Sequence, residues 1–156
     1  MSLTDTVQAF TGAVESGDFS KAESLLAGSF TLTGGFQETL RKDDFLTLLQ
    51  ALKKAFPDMR FNLSNFQEEG NEVHTVARVT GTHTGHLSLP AMELSAIEPT
   101  NKALKLPDEP YHFKLKDGQI DAIRIEEVPG GGLEGLVQQL GLSIDYPDVA
   151  ETEGAG

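Results

Sequence analysis

The side chain best suited to chemistry in this chain is His83, in the segment Gly81-Thr82-His83-Thr84-Gly85. It follows a run from Val73 to Thr82 whose alternation of side chains predicts a β-strand. Histidine is the side chain that most readily exchanges a proton near neutral pH. The pattern therefore predicts that His83 gives a proton to, or takes one from, a carbonyl-bearing ligand. The alternative is a strand-end histidine that is hydrogen-bonded only to its neighbours.

A second polar candidate is Tyr111, which alternates with Phe113 and Leu115 along another predicted strand. The turn signal Lys116-Asp117-Gly118 joins that strand to the next one as a hairpin. A period of two places Tyr111, Phe113 and Leu115 together on the interior face. Because a buried hydroxyl needs a partner, Tyr111 is predicted to donate either to a ligand oxygen or to a backbone carbonyl.

Three other patterns also invite a chemical interpretation. His83 and His86 are three residues apart, on opposite faces of a continuous strand, and no third ligand has a useful spacing, so no metal site is predicted. Glu126 and Glu127 could supply a carboxylate base, although an acidic pair at a strand end is more often solvated. The glycines at 130–132 lack the lysine and the strand–loop–helix setting of a phosphate loop, which favours a flexible linker.

The elements that position these side chains follow from the spacing of apolar residues. Helices are predicted over 3–15, 19–27, 41–56 and 133–140. Strands are predicted over 30–33, 59–64, 73–82, 102–106, 111–115 and 119–128, and residues 87–102 are ambiguous. Helices first and then consecutive antiparallel strands indicate an α+β fold, with helices on one face of a curved sheet. Residues 1–142 are expected to form one domain, and residues 143–156 an acidic, disordered tail.

The composition excludes several functional classes. The 156 residues include 12 basic and 24 acidic side chains, and the net charge of −12 argues against nucleic acid and anionic membrane surfaces as partners. The absence of cysteine excludes disulfides and thiolate chemistry. No apolar run reaches the roughly 18 residues of a membrane-spanning helix. With no secretory signal at the N-terminus, a cytoplasmic location is expected.

Four segments resemble the SnoaL-like polyketide cyclases of the nuclear transport factor 2-like superfamily. They are Ala55-Phe56-Pro57-Asp58, Gly81-Thr82-His83-Thr84-Gly85, the hairpin from Phe113 to Ile120, and Gln138-Gln139-Leu140-Gly141. Their order and spacing match over residues 5–141. The resemblance implies a cone-shaped fold in which helices close one side, a curved antiparallel sheet wraps the other, and an apolar pocket opens between them. It also implies a homodimer formed through the outer face of the sheet.

Members of this superfamily include ring-closing cyclases, isomerases, hydratases and binding proteins, so the fold constrains shape more than chemistry. The cyclases place an acid/base aspartate two residues before the hairpin phenylalanine, and that position is Tyr111 here. A tyrosine with a pKa of about 10 is protonated at neutral pH. It would therefore donate a proton or orient a carbonyl rather than act as a base.

The last predicted strand leaves its orientation open. The family tends to carry a tryptophan at the position of Arg124, and counting from it would place Arg124 in the pocket. The alternation instead makes Ile123 and Ile125 the apolar face, with Arg124 and Glu126 on the other. A third arrangement has both faces covered, the outer one by a second subunit.

The predicted ligand is a small, largely apolar, oxygen-bearing molecule. As an enzyme, the chain would catalyse aldol-type cyclisation, isomerisation or hydration without a cofactor, with His83 exchanging the proton and Tyr111 polarising an oxygen. The alternative is a non-catalytic ligand carrier or protein-interaction module of the same fold. Further ligand-binding residues are predicted at Met59, Phe61, Val79, Phe113, Arg124 and Glu126.

Overall fold

The computed structural model describes residues 2–34, 39–89 and 94–141. Its helices are α1 (Leu3–Ser16), α2 (Phe19–Ser24), α3 (Lys42–Ala55) and α4 (Gly132–Gln139). Its strands are β1 (Leu26–Thr33), β2 (Leu40–Arg41), β3 (Ser64–Glu69), β4 (Glu72–Ala77), β5 (Thr80–Thr82), β6 (Leu87–Leu89), β7 (Leu94–Ile97), β8 (Ala103–Lys105), β9 (Glu109–Lys116) and β10 (Gln119–Ile125). The predicted tail at 143–156 lies outside the described residues. None of the described helices is both long and apolar enough to cross a membrane.

Six strands form the main sheet in the order β2-β1-β10-β9-β4-β3, while β5 pairs with β8 and β6 with β7. β1 runs parallel to β10, and the other pairs are antiparallel. The helices supply apolar side chains to one core with the sheet, where the rings of Phe10 and Phe30 stack on Phe45 at centroid distances of 6.1 and 5.0 Å. The predicted α+β fold, with helices on a curved sheet, is confirmed.

Local signals set the ends of α1. The Ser2 hydroxyl accepts the amide of Asp5, the Asp5 carboxylate accepts the amide of Ser2, and this capping box starts the helix. Gly17 ends it in the left-handed conformation, with φ of 82°. The predicted extension of the second helix to Ala27 is wrong. α2 ends at Ser24 because Leu26, which is fully buried, begins the parallel pairing with β10.

Two strand predictions need correction. In the predicted strand 59–64, Arg60 forms only an isolated bridge with Thr80, and regular pairing begins at Ser64. Asn62 and Asn65 have φ of 50° and 55°, left-handed values that interrupt the pleat.

The predicted strand 73–82 is divided into β4 and β5, because its partner changes from β9 to β8 beyond Ala77. Its predicted inner face nevertheless continues across the break. Every second residue is buried: Val73, Thr75, Ala77, Val79, Gly81 and His83.

The C-terminal end of α3 docks against the segment 81–85. The last carbonyl of α3, on Ala55, accepts the amides of Thr84 and Gly85 at 3.1 and 3.0 Å, which satisfies a group that a helix end leaves unpaired. The Asp58 carboxylate accepts the amide and the hydroxyl of Thr82 at 2.7 and 2.9 Å, and these bonds lower the pKa of Asp58. Two of the four segments that resemble the SnoaL-like family, 55–58 and 81–85, therefore bind each other directly.

Gly85 is the closest point of this contact. A Cβ at Gly85 would overlap the carbonyl oxygen of Lys54, which is backbone and cannot move aside. We expect Gly85→Ala to lower the free energy of unfolding by about 3 kcal/mol or more, as overpacking against a fixed neighbour does. Urea denaturation measures the change.

The matched control is Gly12→Ala. Gly12 lies on the exposed side of α1, and its added Cβ would meet nothing within 4 Å. Alanine should raise stability by up to about 1 kcal/mol at that helical position. Equal effects of the two substitutions would contradict the docking contact.

Candidate functional site

A cavity of about 90 Å³ lies between the helices and the inner face of the main sheet. Its wall is apolar except for Thr11, Glu109 and Tyr111. The Thr11 hydroxyl donates to the carbonyl of Val7 at 3.2 Å, within its own helix. The polar groups that can serve a ligand are therefore those of Glu109 and Tyr111.

Glu109 and Tyr111 lie two residues apart at the start of β9, so both face the helices. β4 fixes this orientation, since Ala77 pairs with Glu109 and Thr75 pairs with Tyr111. Glu109 is 2% exposed, an uncommon degree of burial for a carboxyl group. The strand thus places a carboxyl and a phenol on one wall of an apolar cavity.

Burial raises the pKa of Glu109 because a low-dielectric environment disfavours the charged form. The amide of Gly132, at the start of α4, donates to its Oε2 at 3.1 Å and partly opposes that shift. Glu109 also borders a second, outer pocket of about 230 Å³, lined by the segment 127–132 and the first turns of α4. The carboxyl group therefore stands between the apolar cavity and the outer pocket.

Burial raises the pKa of Tyr111 well above its usual value, and the nearby Glu109 carboxylate adds to the shift. The phenol is therefore protonated at any physiological pH. No hydrogen bond of its hydroxyl to another described residue is found, and the hydroxyl is not among the fully enclosed atoms without a partner. The backbone-bonded alternative for Tyr111 has no counterpart in the described part of the chain, and the hydroxyl is available to a ligand in the cavity.

The structure places four of the eight predicted site residues on the cavity wall: Met59, Phe61, Val79 and Tyr111. Phe113 points inward and is 1% exposed, but it packs in the core rather than along the cavity. The ligand contacts predicted for these residues stay predictions.

Arg124 and Glu126 lie outside the cavity. The register of β10 against β9 pairs Ile123 with Phe113 and Ile125 with Tyr111, so the isoleucines face inward. Arg124 therefore points outward and is exposed, and Glu126 reaches His112, with Oε2 at 2.5 Å from Nε2. Alternation along the strand, rather than the count from the family tryptophan, therefore sets the placement of Arg124 and Glu126, and their predicted ligand contacts stay predictions.

On the outer face of the sheet, His112 is paired across the strands with His74, and their Nδ1 atoms are 2.6 Å apart. Glu126 and Glu72 flank the pair, with Glu72 Oε1 at 3.5 Å from Nε2 of His74. Within the described ranges, no cluster of three or more metal-ligating side chains is found. The homodimer predicted through this face stays a prediction.

His83 is fully buried but is not part of the cavity wall. Its ring packs on Phe56, 5.3 Å between centroids, and its Nδ1 accepts the amide of Thr100 at 3.2 Å. Its Nε2 has no hydrogen-bond partner among the described residues, and burial lowers its pKa. The geometry thus separates His83 from Tyr111 and places it under the docking contact of α3.

Sequence reasoning missed Glu109. The alternation that turned Tyr111, Phe113 and Leu115 inward extends two residues upstream to Glu109, and that was the available signal. The acidic pair that the sequence offers as a carboxylate base, Glu126 and Glu127, lies downstream of Tyr111 instead. A buried carboxyl group is thus present two residues before the family's aspartate position, on the same strand face.

The burial of His83 predicts a pH effect on stability. Because its folded pKa lies below the ordinary value of 6.5, it contributes stability above pH 6.5 that is lost as the pH falls toward the folded pKa. His83→Gln keeps an acceptor but cannot ionise. Relative to this variant, the wild type should lose stability between pH 7.5 and pH 5 in urea denaturation. Parallel pH profiles would show that His83 is not buried as a neutral group.

Burial of Glu109 predicts the opposite dependence of stability on pH. Its folded pKa is raised, so its contribution is fully present below the unfolded value of 4.5 and is lost as the pH rises through the folded pKa. Glu109→Gln removes the ionisation at nearly constant shape. The variant should gain stability over the wild type as the pH increases above 4.5, measured by urea denaturation. A difference that does not change with pH would contradict burial of the carboxyl group.

Comparison with known proteins agrees with this architecture. AclR of Streptomyces galilaeus, a proposed hydroxylase, is 18% identical with a TM-score of 0.70, over 98% of this chain and 89% of its own. IdmH of Streptomyces antibioticus, a proposed polyketide cyclase, is 20% identical with a TM-score of 0.68, over 91% and 100%. An M. tuberculosis epoxide hydrolase of the LEH-like type is 18% identical with a TM-score of 0.63, over 97% and 96%. At these identities the likeness shows the fold alone.

No curated protein sequence matches the chain. The family model for the SnoaL-like domain matches residues 7–123, well over half of the 156 residues. That range runs from α1 into β10 and contains Glu109 and Tyr111. This chain belongs to the SnoaL-like domain family.

Proposed function

We propose that this chain is a cofactor-independent acid/base enzyme that acts on a small, largely apolar carbonyl compound, with Glu109 as the base. The main support is the convergence of a buried carboxyl group and a phenol without a described partner on one apolar cavity. His83, the residue that the sequence favoured for proton exchange, lies outside that cavity, and the role passes to Glu109.

Glu109 has the properties that a general base needs. A carboxylate with an ordinary pKa is a weak base, and a pKa raised by burial brings it closer to that of the proton it must remove. Its second border, on the outer pocket, gives the carboxyl group a route for proton exchange with water. The same side chain is thus buried and able to exchange a proton with water.

Tyr111 is suited to stabilise the negative charge that forms on the substrate oxygen. Its raised pKa keeps the hydroxyl protonated, so it can only donate. A donor that is already oriented in an apolar site stabilises an oxyanion without reorganisation. The same shift makes Tyr111 a poor base.

The reaction starts at the carbon next to the carbonyl group. Glu109 takes the proton of that C–H bond, the electron pair moves into the carbonyl, and the Tyr111 O–H holds the enolate oxygen. Where a C=C bond is conjugated with the enolate, return of the proton to the far carbon of that dienolate gives an isomerisation. Attack of the enolate carbon on a second carbonyl forms a C–C bond, and Glu109 returns its proton to the new alkoxide, which gives an aldol cyclisation.

The cavity volume bears on the size of the ligand. At about 90 Å³ it is smaller than the roughly 300–1,000 Å³ of most ligand pockets. Gly132, Leu133 and Leu136 of α4 form part of its wall, and Gly132 lies at the junction with the outer pocket. This volume favours small ketones as ligands.

The names of solved structures with this fold include polyketide cyclases and an epoxide hydrolase, which is compatible with proton-transfer chemistry in such a cone. The competing proposal is a carrier that binds the same class of molecule without turnover. The two differ in whether Glu109 exchanges protons with a bound carbonyl compound.

The test is exchange of the α-hydrogens of cyclopentanone and butanone in D2O, followed by 1H NMR. The wild type should accelerate exchange. Glu109→Gln should lose at least about 100-fold of the enzymatic rate, since it removes the base. Tyr111→Phe should lose about 10- to 100-fold, because the enolate loses one hydrogen bond.

Glu23→Gln is the matched control, since Glu23 is exposed on α2 and borders neither cavity. It should exchange the ketones at the wild-type rate. Equal rates in the wild type and Glu109→Gln would overturn the proposal. Ketone-induced shifts of cavity resonances without any exchange would favour the carrier.

A further inference from the structure

Glu109 serves as an N-terminal cap for α4, although it belongs to β9. α4 begins at Gly132, and the preceding residue, Gly131, has no side chain with which to cap it. The Gly132 amide donates instead to Oε2 of Glu109 at 3.1 Å. This amide is the hydrogen-bond donor to the carboxyl group in the described part of the chain, and the helix N-terminus favours the negative charge.

The backbone does not explain why residue 131 is glycine. Its φ of −98° and ψ of −172° are extended values that any residue adopts. Gly130 and Gly132 differ, since their φ values of 81° and 68° are left-handed. Something other than conformation therefore restricts position 131.

The space beside Gly131 supplies the reason. A Cβ there would lie 2.9 Å from Oε2 of Glu109 and 3.1 Å from its Cδ, and also 2.9 Å from Cγ2 of Val128. These are ends of side chains, so the protein can accommodate a methyl group by moving them. The carboxyl group would then leave the Gly132 amide.

We propose that Gly131 is a positioning residue for Glu109, whose missing side chain lets the N-terminus of α4 hold the carboxyl group between the cavity and the outer pocket. The catalytic consequence rests on the proposed function. The positioning itself concerns the free protein and is measurable without a substrate.

The charges around Glu109 give this contact its effect. Tyr111 lies beside it on β9, and Glu127 and Glu134 share the outer pocket. No lysine, arginine or histidine lines either cavity in the described residues. The Gly132 amide is thus the group that opposes the effect of burial, and its loss should raise the pKa of Glu109 further.

The test is Gly131→Ala, with the Glu109 carboxyl followed by 13C NMR across the pH range and assigned from its absence in Glu109→Gln. The pKa of Glu109 should shift upward relative to the wild type. Gly12→Ala, which meets nothing within 4 Å, should leave it unchanged. An unchanged Glu109 titration in folded Gly131→Ala would overturn the proposal.

The wild type provides a second measurement that does not depend on the folding of a variant. The Gly132 amide resonance should titrate together with the Glu109 carboxyl, and this titration should vanish in Glu109→Gln. A Gly132 amide that is indifferent to pH would overturn the contact on which the proposal depends.

Ketone exchange supplies the functional readout. The acidic limb of its pH–rate profile should move to higher pH in Gly131→Ala, by the same amount as the NMR titration. A merely structural role would lower the rate at every pH and leave the limb in place, which would count against positioning. Should the wild type exchange no ketone, the proposed function fails, while the two titrations still decide the role of Gly131.

Discussion

The pairing of β9 with neighbours on both sides is the constraint on which the site depends. Phe113 lies opposite Val73 of β4 and Ile123 of β10, and all three are nearly inaccessible to solvent. A shift of one residue would turn Phe113 and Leu115 outward, at about 1.5–3 kcal/mol for each side chain. Because the period of two is fixed by these apolar residues, Tyr111 and Glu109 must face inward with them. The core thus imposes the buried position of the carboxyl group.

A buried carboxyl group costs free energy unless it is hydrogen-bonded, and α4 supplies the bond. This helix is short and contains Gly135, so its intrinsic tendency to form is weak. Tertiary contacts stabilise it at both ends. Glu109 accepts the first amide, and the Gln139 side chain bonds both backbone groups of Lys105, at 2.8 and 2.6 Å. The carboxyl group and the helix that closes its cavity therefore stabilise each other.

Local periodicity in the sequence predicts most of the helices and strands of the fold. The helices, the hairpin of β9 and β10 and the inner faces of both long strands follow from spacings within about ten residues. The parallel pairing of β1 with β10 and the change of partner between β4 and β5 join distant parts of the chain, which periodicity does not report. Glu109 was missed because the predicted strand began at Tyr111, after Pro110, a residue that central strands seldom contain. In the fold, Pro110 is only the second residue of β9, and its carbonyl accepts the amide of Glu126.

The segment around His83 shows why a motif can identify a fold without identifying its chemistry. Gly81 accommodates Phe56, and Gly85 accommodates the end of α3, whether or not the protein turns over a substrate. Chemistry depends on what faces the cavity, and there the carboxylate stands two residues from the family's aspartate position, Tyr111. Two residues along a strand keep the face but move the group by about 7 Å. Since the move is toward α4, Glu109 approaches a ligand from the helix side. In the proposed reaction, a substrate held by Tyr111 presents its reacting carbon toward α4, whereas a cyclase with its aspartate at the Tyr111 position would remove the proton from that position.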